Sequence, residues 1–311
     1  MGIGTARGVV LLVSLLALGV PGAVFAQRGP ITNKDVFVLA EELADEVELI
    51  REVMGRPYDE SPRLPVAGVS MAEVFFQAQT LLRKSNQLAR EIAQAPGATM
   101  EPIPDREIAA ADVYALVARA LEQIKVVRAE LGISEPVIRQ LREAEMPATG
   151  LFSTIVDSNR QLDLLITNAI TAADVFEEVS FALIYTSGML AKRAPGVEVP
   201  DAPFPGPKRP SDVYLQLLDC IDIAHRIASS QGVEVLSLSS RRNVPAGVEP
   251  GHVYDVANIL TADLAMLAKV VGAEQTREEL GPTPKHIFPS HVYQRAETLK
   301  RKLEALEAAL K

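Results

Sequence analysis

A branched aliphatic residue followed by an aromatic one recurs eight times along this 311-residue chain, and its spacing constrains the fold more than any other feature. The steps are Val36-Phe37, Val74-Phe75, Val113-Tyr114, Leu151-Phe152, Val175-Phe176, Val213-Tyr214, Val253-Tyr254 and Val292-Tyr293. Successive first residues lie 38, 39, 38, 24, 38, 40 and 39 positions apart. A fixed period of this length means one supersecondary unit copied in tandem.

The single short interval divides the array into two sets of four. ITNKDVF at Ile31–Phe37 reappears as ITAADVF at Ile170–Phe176, and the later steps follow at offsets of 139, 140 and 141. The economical reading is a duplicated four-unit block, spanning 27–169 and 170–311, each of ordinary domain size.

Each unit carries a helix code. Counting from its valine, apolar residues recur at positions 4, 7, 11, 14 and 18, as in Val253, Ala257, Leu260, Leu264, Leu267 and Val271. Spacings of three and four place these side chains on one stripe of a helix packed against other helices. The expected fold class is therefore all-α. Polar residues interrupt the stripe at Ser85, Ser158, Thr186 and Gln231, and the only cysteine, Cys220, lies on it.

Start signals precede each stripe. Thr32 with Asp35, Ser70 with Glu73, and Thr171 with Asp174 form capping boxes, in which hydroxyl and carboxylate satisfy orphan first-turn amides. Pro210, Pro250 and Pro289 fall on the first helical position, where proline's missing donor costs nothing. An acid three residues in also complements the positive end of the helix dipole. Capping and core packing thus account for the repeated aromatics Phe37, Phe75, Tyr114, Phe152, Phe176, Tyr214, Tyr254 and Tyr293 as structural positions rather than a ligand motif.

The connectors are long for a helical bundle, at about fifteen residues where roughly 2 to 8 is usual. They are rich in proline and glycine, as in RPYDESPRLPVAG and RAPGVEVPDAPFPGPKRP. Two contain candidate short helices, at Glu135–Glu143 and Glu274–Leu280. Connectors of this length suit helices that alternate up and down with elaborated loops, and they also suit parallel helices with extended returns. The frequency of up-and-down bundles favours the first. Loops on a rigid scaffold carry recognition more often than cores do, so a partner is expected to meet the connectors.

Residues 1–26 read as a secretory signal peptide: Arg7, an apolar run from Val9 to Val20, and Val24-Phe25-Ala26 before a cleavage site ahead of Gln27. The run is too short to span a bilayer, so the mature chain is expected in the periplasm or outside the cell with no transmembrane span. The chain has 31 basic and 40 acidic residues, for a net charge of −9, and no basic cluster. Nucleic acid and anionic membrane surfaces are poor partners for such a chain.

Motifs for phosphate, dinucleotide or zinc-hydrolase chemistry do not occur, and no cofactor is implied. Asp222-x-x-His225 is a weak metal signature, and Asp219, a turn earlier, offers a weak general-base pairing with His225. His252 and His291 stand where the other units place an acid. A cation there opposes the dipole, so both imidazoles are expected neutral. On parallel neighbouring helices, the two histidines would meet in a Zn²⁺ or Cu²⁺ site.

Together these features point to a non-enzymatic, exported helical-repeat protein that binds or scaffolds another periplasmic or envelope protein. A small-molecule-binding helical sensor or carrier, with Ser85, Ser158, Thr186, Gln231 and Cys220 lining a site inside a bundle, is the alternative.

Overall fold

Eight long helices form at the expected places. The computed structural model describes residues 30–60, 66–100, 103–104, 106–137, 146–167, 170–238, 247–273 and 286–310. The signal-peptide segment, Glu274–Leu280 and most of Glu135–Glu143 lie outside them. Ile31–Lys311 forms one compact unit. The helices are α1 (Asn33–Val53), α2 (Met71–Ala93), α3 (Ala110–Glu130), α4 (Ala148–Leu165), α5 (Ala172–Arg193), α6 (Pro210–Ser230), α7 (Pro250–Val271) and α8 (Pro289–Leu310). Among the described residues, no helix is long and apolar enough to cross a membrane.

Helix starts follow the local chemistry. Thr32, Ser70 and Thr171 cap α1, α2 and α5, and Asp35, Glu73 and Asp174 each accept from the cap N–H at 2.8–2.9 Å. Pro210, Pro250 and Pro289 open α6, α7 and α8. Several helices end on a glycine in the left-handed region, Gly132 after α3 and Gly272 after α7 among them, where a Cβ would be strained. All eight leading aliphatics, from Val36 to Val292, are buried, as is the stripe behind them up to its last position, where Met54, Ile92, Leu131 and Leu310 are only partly covered.

The helices pack as two rings. In the first, α1 and α2 each pack on both α3 and α4; in the second, α5 and α6 each pack on both α7 and α8. α1 and α2 therefore sit at opposite corners, and so do α7 and α8.

Helix direction departs from the up-and-down expectation. Ala172 with Val175, Pro210 with Val213, Pro250 with Val253, and Pro289 with Val292 line one shallow apolar dimple, so α5 to α8 all start at the same end. Contacts between α6 and α8 advance in step: Gln216 with Glu297, Asp219 with Lys300, Arg226 with Glu307. In the first ring Glu42–Lys125 and Glu46–Arg128 advance in step between α1 and α3, Gln77–Asn159 and Lys84–Asp163 do so between α2 and α4, and Asp59, just past the end of α1, meets Gln161 near the end of α4. Within each ring, then, the helices run parallel. The long connectors are returns: a 22-residue helix is about 33 Å long, and the shortest return, 16 residues between α5 and α6, reaches about 50 Å when extended.

The irregular spacing now has a cause. Only six residues, Ile166–Thr171, join α4 to α5, a reach of about 20 Å. That is too short to return along α4, so α5 must start where α4 ends and run back. The second ring is accordingly antiparallel to the first. Across the junction Ser70, Gln77 and Arg83 of α2 contact Met266, Asn258 and Tyr254 of α7, in descending order. A four-fold stack of like helix dipoles is unfavourable, and antiparallel rings set the positive ends of one beside the negative ends of the other. A two-residue antiparallel pairing, β1 (Val66–Ala67) with β2 (Ser237–Leu238), ties a connector of each ring to the other.

Candidate functional site

The repeated aromatics divide by environment. Phe37, Phe75, Phe152, Tyr214 and Tyr254 are buried, whereas Tyr114, Phe176 and Tyr293 are half-buried. Of the three, Phe176 carries the Arg295 guanidinium 4.6 Å above its ring, and Tyr293 carries Lys208 at 4.3 Å. The aliphatic partner is the core residue of each step, and the aromatic serves whatever packs beside it.

The polar interruptions of the stripe do not open into a ligand site. Ser158 and Thr186 donate to the carbonyls of Thr154 and Ala182, one turn back on their own helices. The Cys220 Sγ lies 3.6 Å from the Ala296 carbonyl, and complete burial pushes its thiol pKa far up, which makes it inert. Ser85 is fully buried, and Gln231 caps the end of α6.

The metal candidates are dispersed. His252 starts α7 and His291 starts α8, which stand at opposite corners of the ring, so parallel direction alone does not bring them together. Each histidine takes over the acid's role: Nδ1 of His252 accepts from the Glu249 N–H, and Nδ1 of His291 from the Phe288 N–H, both at 3.1 Å. Asp219 pairs with Lys300 at 3.0 Å and opens to a groove beside Lys208 and Tyr293; neither Asp222 nor His225 lines that groove. Among the described residues, no three histidine, cysteine or acidic side chains converge in metal-binding geometry.

His252 has a neighbour that explains its identity. Asp163 of α4 reaches the first turn of α7, where its Oδ2 would lie 3.1 Å from a Cβ placed on Gly251. The anion for the α7 dipole thus comes from another helix, and an acid at position 252 would face a second carboxylate.

Sequence reasoning missed the seam between the rings. Along α2, α4 and α7 runs a buried polar network. The Lys84 Nζ donates to Asp163 at 2.7 Å and to the Asn159 carbonyl at 3.1 Å; Asn159 donates to Gln77, and Gln77 to Asn258. Arg160 lies 3.5 Å from Asp255, and Arg83 donates to the Tyr254 hydroxyl at 2.5 Å. Lys84 is 1% exposed. Burying such charges costs free energy unless every partner is met, so sliding the rings by one helical turn would strand several of them. The network fixes register. A signal was present: α2 and α7 carry apolar residues off the main stripe, such as Phe76, Leu82, Val256 and Ile259, which together make a second buried face.

Two features face solvent near the start of α8. Phe204, on the α5–α6 connector, packs at a tilt against His291 and Phe288, just before α8, stacks on it, with ring centroids 5.1 and 5.8 Å away. Both phenylalanines are about three-fifths exposed, at 58% and 61%. Alongside lies a pocket of about 310 Å³, open to solvent and lined by Phe176, Asp201, His286, Ile287, Arg295 and Thr298 among others.

No known protein family, curated protein or solved structure matches the chain.

Proposed function

We propose that the chain is an exported, non-enzymatic helical-repeat protein that binds or scaffolds another periplasmic or envelope protein, and that it arose by duplication of a four-helix unit. The duplication is supported by the recurring helix-start motif, the matching ring order and the parallel direction within each ring. Export rests on the character of residues 1–26.

The observation that carries the binding reading is the Phe204–His291–Phe288 stack. Large apolar rings left this exposed, side by side and on two connectors held by a rigid core, are the usual material of a protein-binding hot spot. The seam supports the same reading, since it makes the two rings a stiff platform on which connectors keep their positions.

The test is a photo-crosslinking residue placed at Phe288, and separately at Val270, whose side chain is about as exposed but lies at the end of α7, at the opposite end of the ring. The reading expects one discrete adduct from position 288 in intact cells, lost when Phe204 is changed to Ala. Equal labelling from both positions, or none, counts against it. Cell fractionation with and without residues 1–26 tests the compartment.

A further inference from the structure

The pocket beside α8 holds two opposite charges that do not pair with each other. Arg295 projects from α8 across the face of Phe176, and among the described residues no side chain or carbonyl hydrogen-bonds or ion-pairs its guanidinium. Burial pulls its pKa down, and the charge of Asp201 acts in the other direction. Asp201 lines the same pocket, exposed and outside ion-pairing distance. Its position is built in: the neighbouring Ala202 is buried, donates its N–H to the Thr298 Oγ1 at 2.9 Å, and accepts from the Gln294 Nε2 at 2.7 Å. Those bonds pin the connector to α8 and hold Asp201 in the same pocket as Arg295.

A guanidinium without a carboxylate, in a concave site, is unfinished chemistry. Arg recognises carboxylates bidentately and with geometric precision. Its stacking on Phe176 fixes the side chain beforehand, so less rotamer freedom is lost when a ligand arrives. Asp201 disfavours a simple anion but welcomes an ammonium. Phe176 and Ile287 supply an apolar wall in a concavity otherwise lined by polar side chains, His286, His291, Gln294 and Thr298 beside the two charges, and a few placed polar groups fix a ligand's orientation. We propose that this pocket binds a small zwitterion of the α-amino-acid class, its carboxylate on Arg295, its ammonium on Asp201 and its side chain against Phe176 and Ile287. This goes beyond the partner-binding reading and does not depend on it.

The experiment is isothermal titration and thermal shift of the purified protein with a panel of free α-amino acids, alongside matched carboxylic acids lacking the amine and matched amines lacking the carboxylate. At least one amino acid is expected to bind, with both half-ligands weaker by about tenfold or more, or roughly 1.4 kcal/mol. Arg295→Gln and Asp201→Asn should each weaken binding by a similar factor. Arg295→Lys keeps the charge, loses the fork, and should fall between. If one variant fails to fold by circular dichroism, the other two still decide the matter. The proposal is overturned if no amino acid in the panel gives heat or a shift, or if binding survives Arg295→Gln. Phe204→Ala should leave amino-acid binding intact while abolishing the adduct formed from position 288, so the two readings fail separately.

Discussion

Asp263 of α7 faces Glu73 of α2 within hydrogen-bonding reach at the core of the seam. Both are buried, Asp263 completely. The Glu73 carboxylate already accepts from the Ser70 N–H and hydroxyl and from the Leu236 N–H. Burial, and after it the neighbouring Glu73 charge, raises the Asp263 pKa well above the usual carboxylate range, which favours its protonated form.

The first prediction concerns that proton. Because the folded pKa lies above the unfolded value of about 3.9, the contribution of Asp263 to stability is fully present below that value and is lost as pH rises through the folded one. Asp263→Asn keeps a donor toward Glu73 and removes the titration. Urea unfolding from pH 4 to 8 should show the variant gaining on the natural protein steadily as pH rises. A difference that stays flat over that range would sink the assignment.

Lys84 and Asp163 give a second. Lys84→Ala leaves the Asp163 carboxylate buried without its cation, and should cost about 3–5 kcal/mol. The double variant Lys84→Met with Asp163→Leu removes both charges and should recover most of that loss. A denaturant double-mutant cycle reads the coupling directly; equal losses in the single and double variants would contradict it.

The two histidine starts should respond differently to the residue found in the other units. His291→Asp restores the dipole-matched acid, so the helix start should gain roughly 0.3–1 kcal/mol, less whatever is lost from stacking on Phe204 and Phe288. His252→Asp sets a second carboxylate beside Asp163 and should be destabilising by a comparable amount. Chemical denaturation of both proteins checks the contrast, which fails if the signs agree.

Parallel packing can be read by distance. Spin labels at Ala173 and Ser290, in a Cys220→Ser background, mark the starts of the neighbouring helices α5 and α8 and should lie roughly 10–15 Å apart, given interaxial spacings of about 8–10 Å. Labels at Ala173 and Ala308 should be separated by about a helix length, near 30 Å. An up-and-down bundle, in which α5 and α8 point opposite ways, would exchange the two values.

The Arg295 pocket was not legible in the sequence. Arg295 is one of many basic residues on helix flanks, and nothing local marks it; the folded connector brings Asp201 to it and α5 brings Phe176. The role of His252 was legible only in part. Its departure from the acid pattern stood out, but the reason, Asp163 arriving from α4, lies 89 positions away in the chain.

Helix number, their starts and the buried stripe were determined by the sequence alone, because capping and three-four periodicity depend on residues within one or two turns of each other. Helix direction was decided only by the tertiary structure. An apolar stripe buries equally well whichever way its helix points, and a long connector can serve as loop or return. What breaks the tie is nonlocal: the six-residue join after α4, the opposed dipoles of the two rings, and the Lys84–Asp163 and Gln77–Asn258 contacts, which are both made in one register.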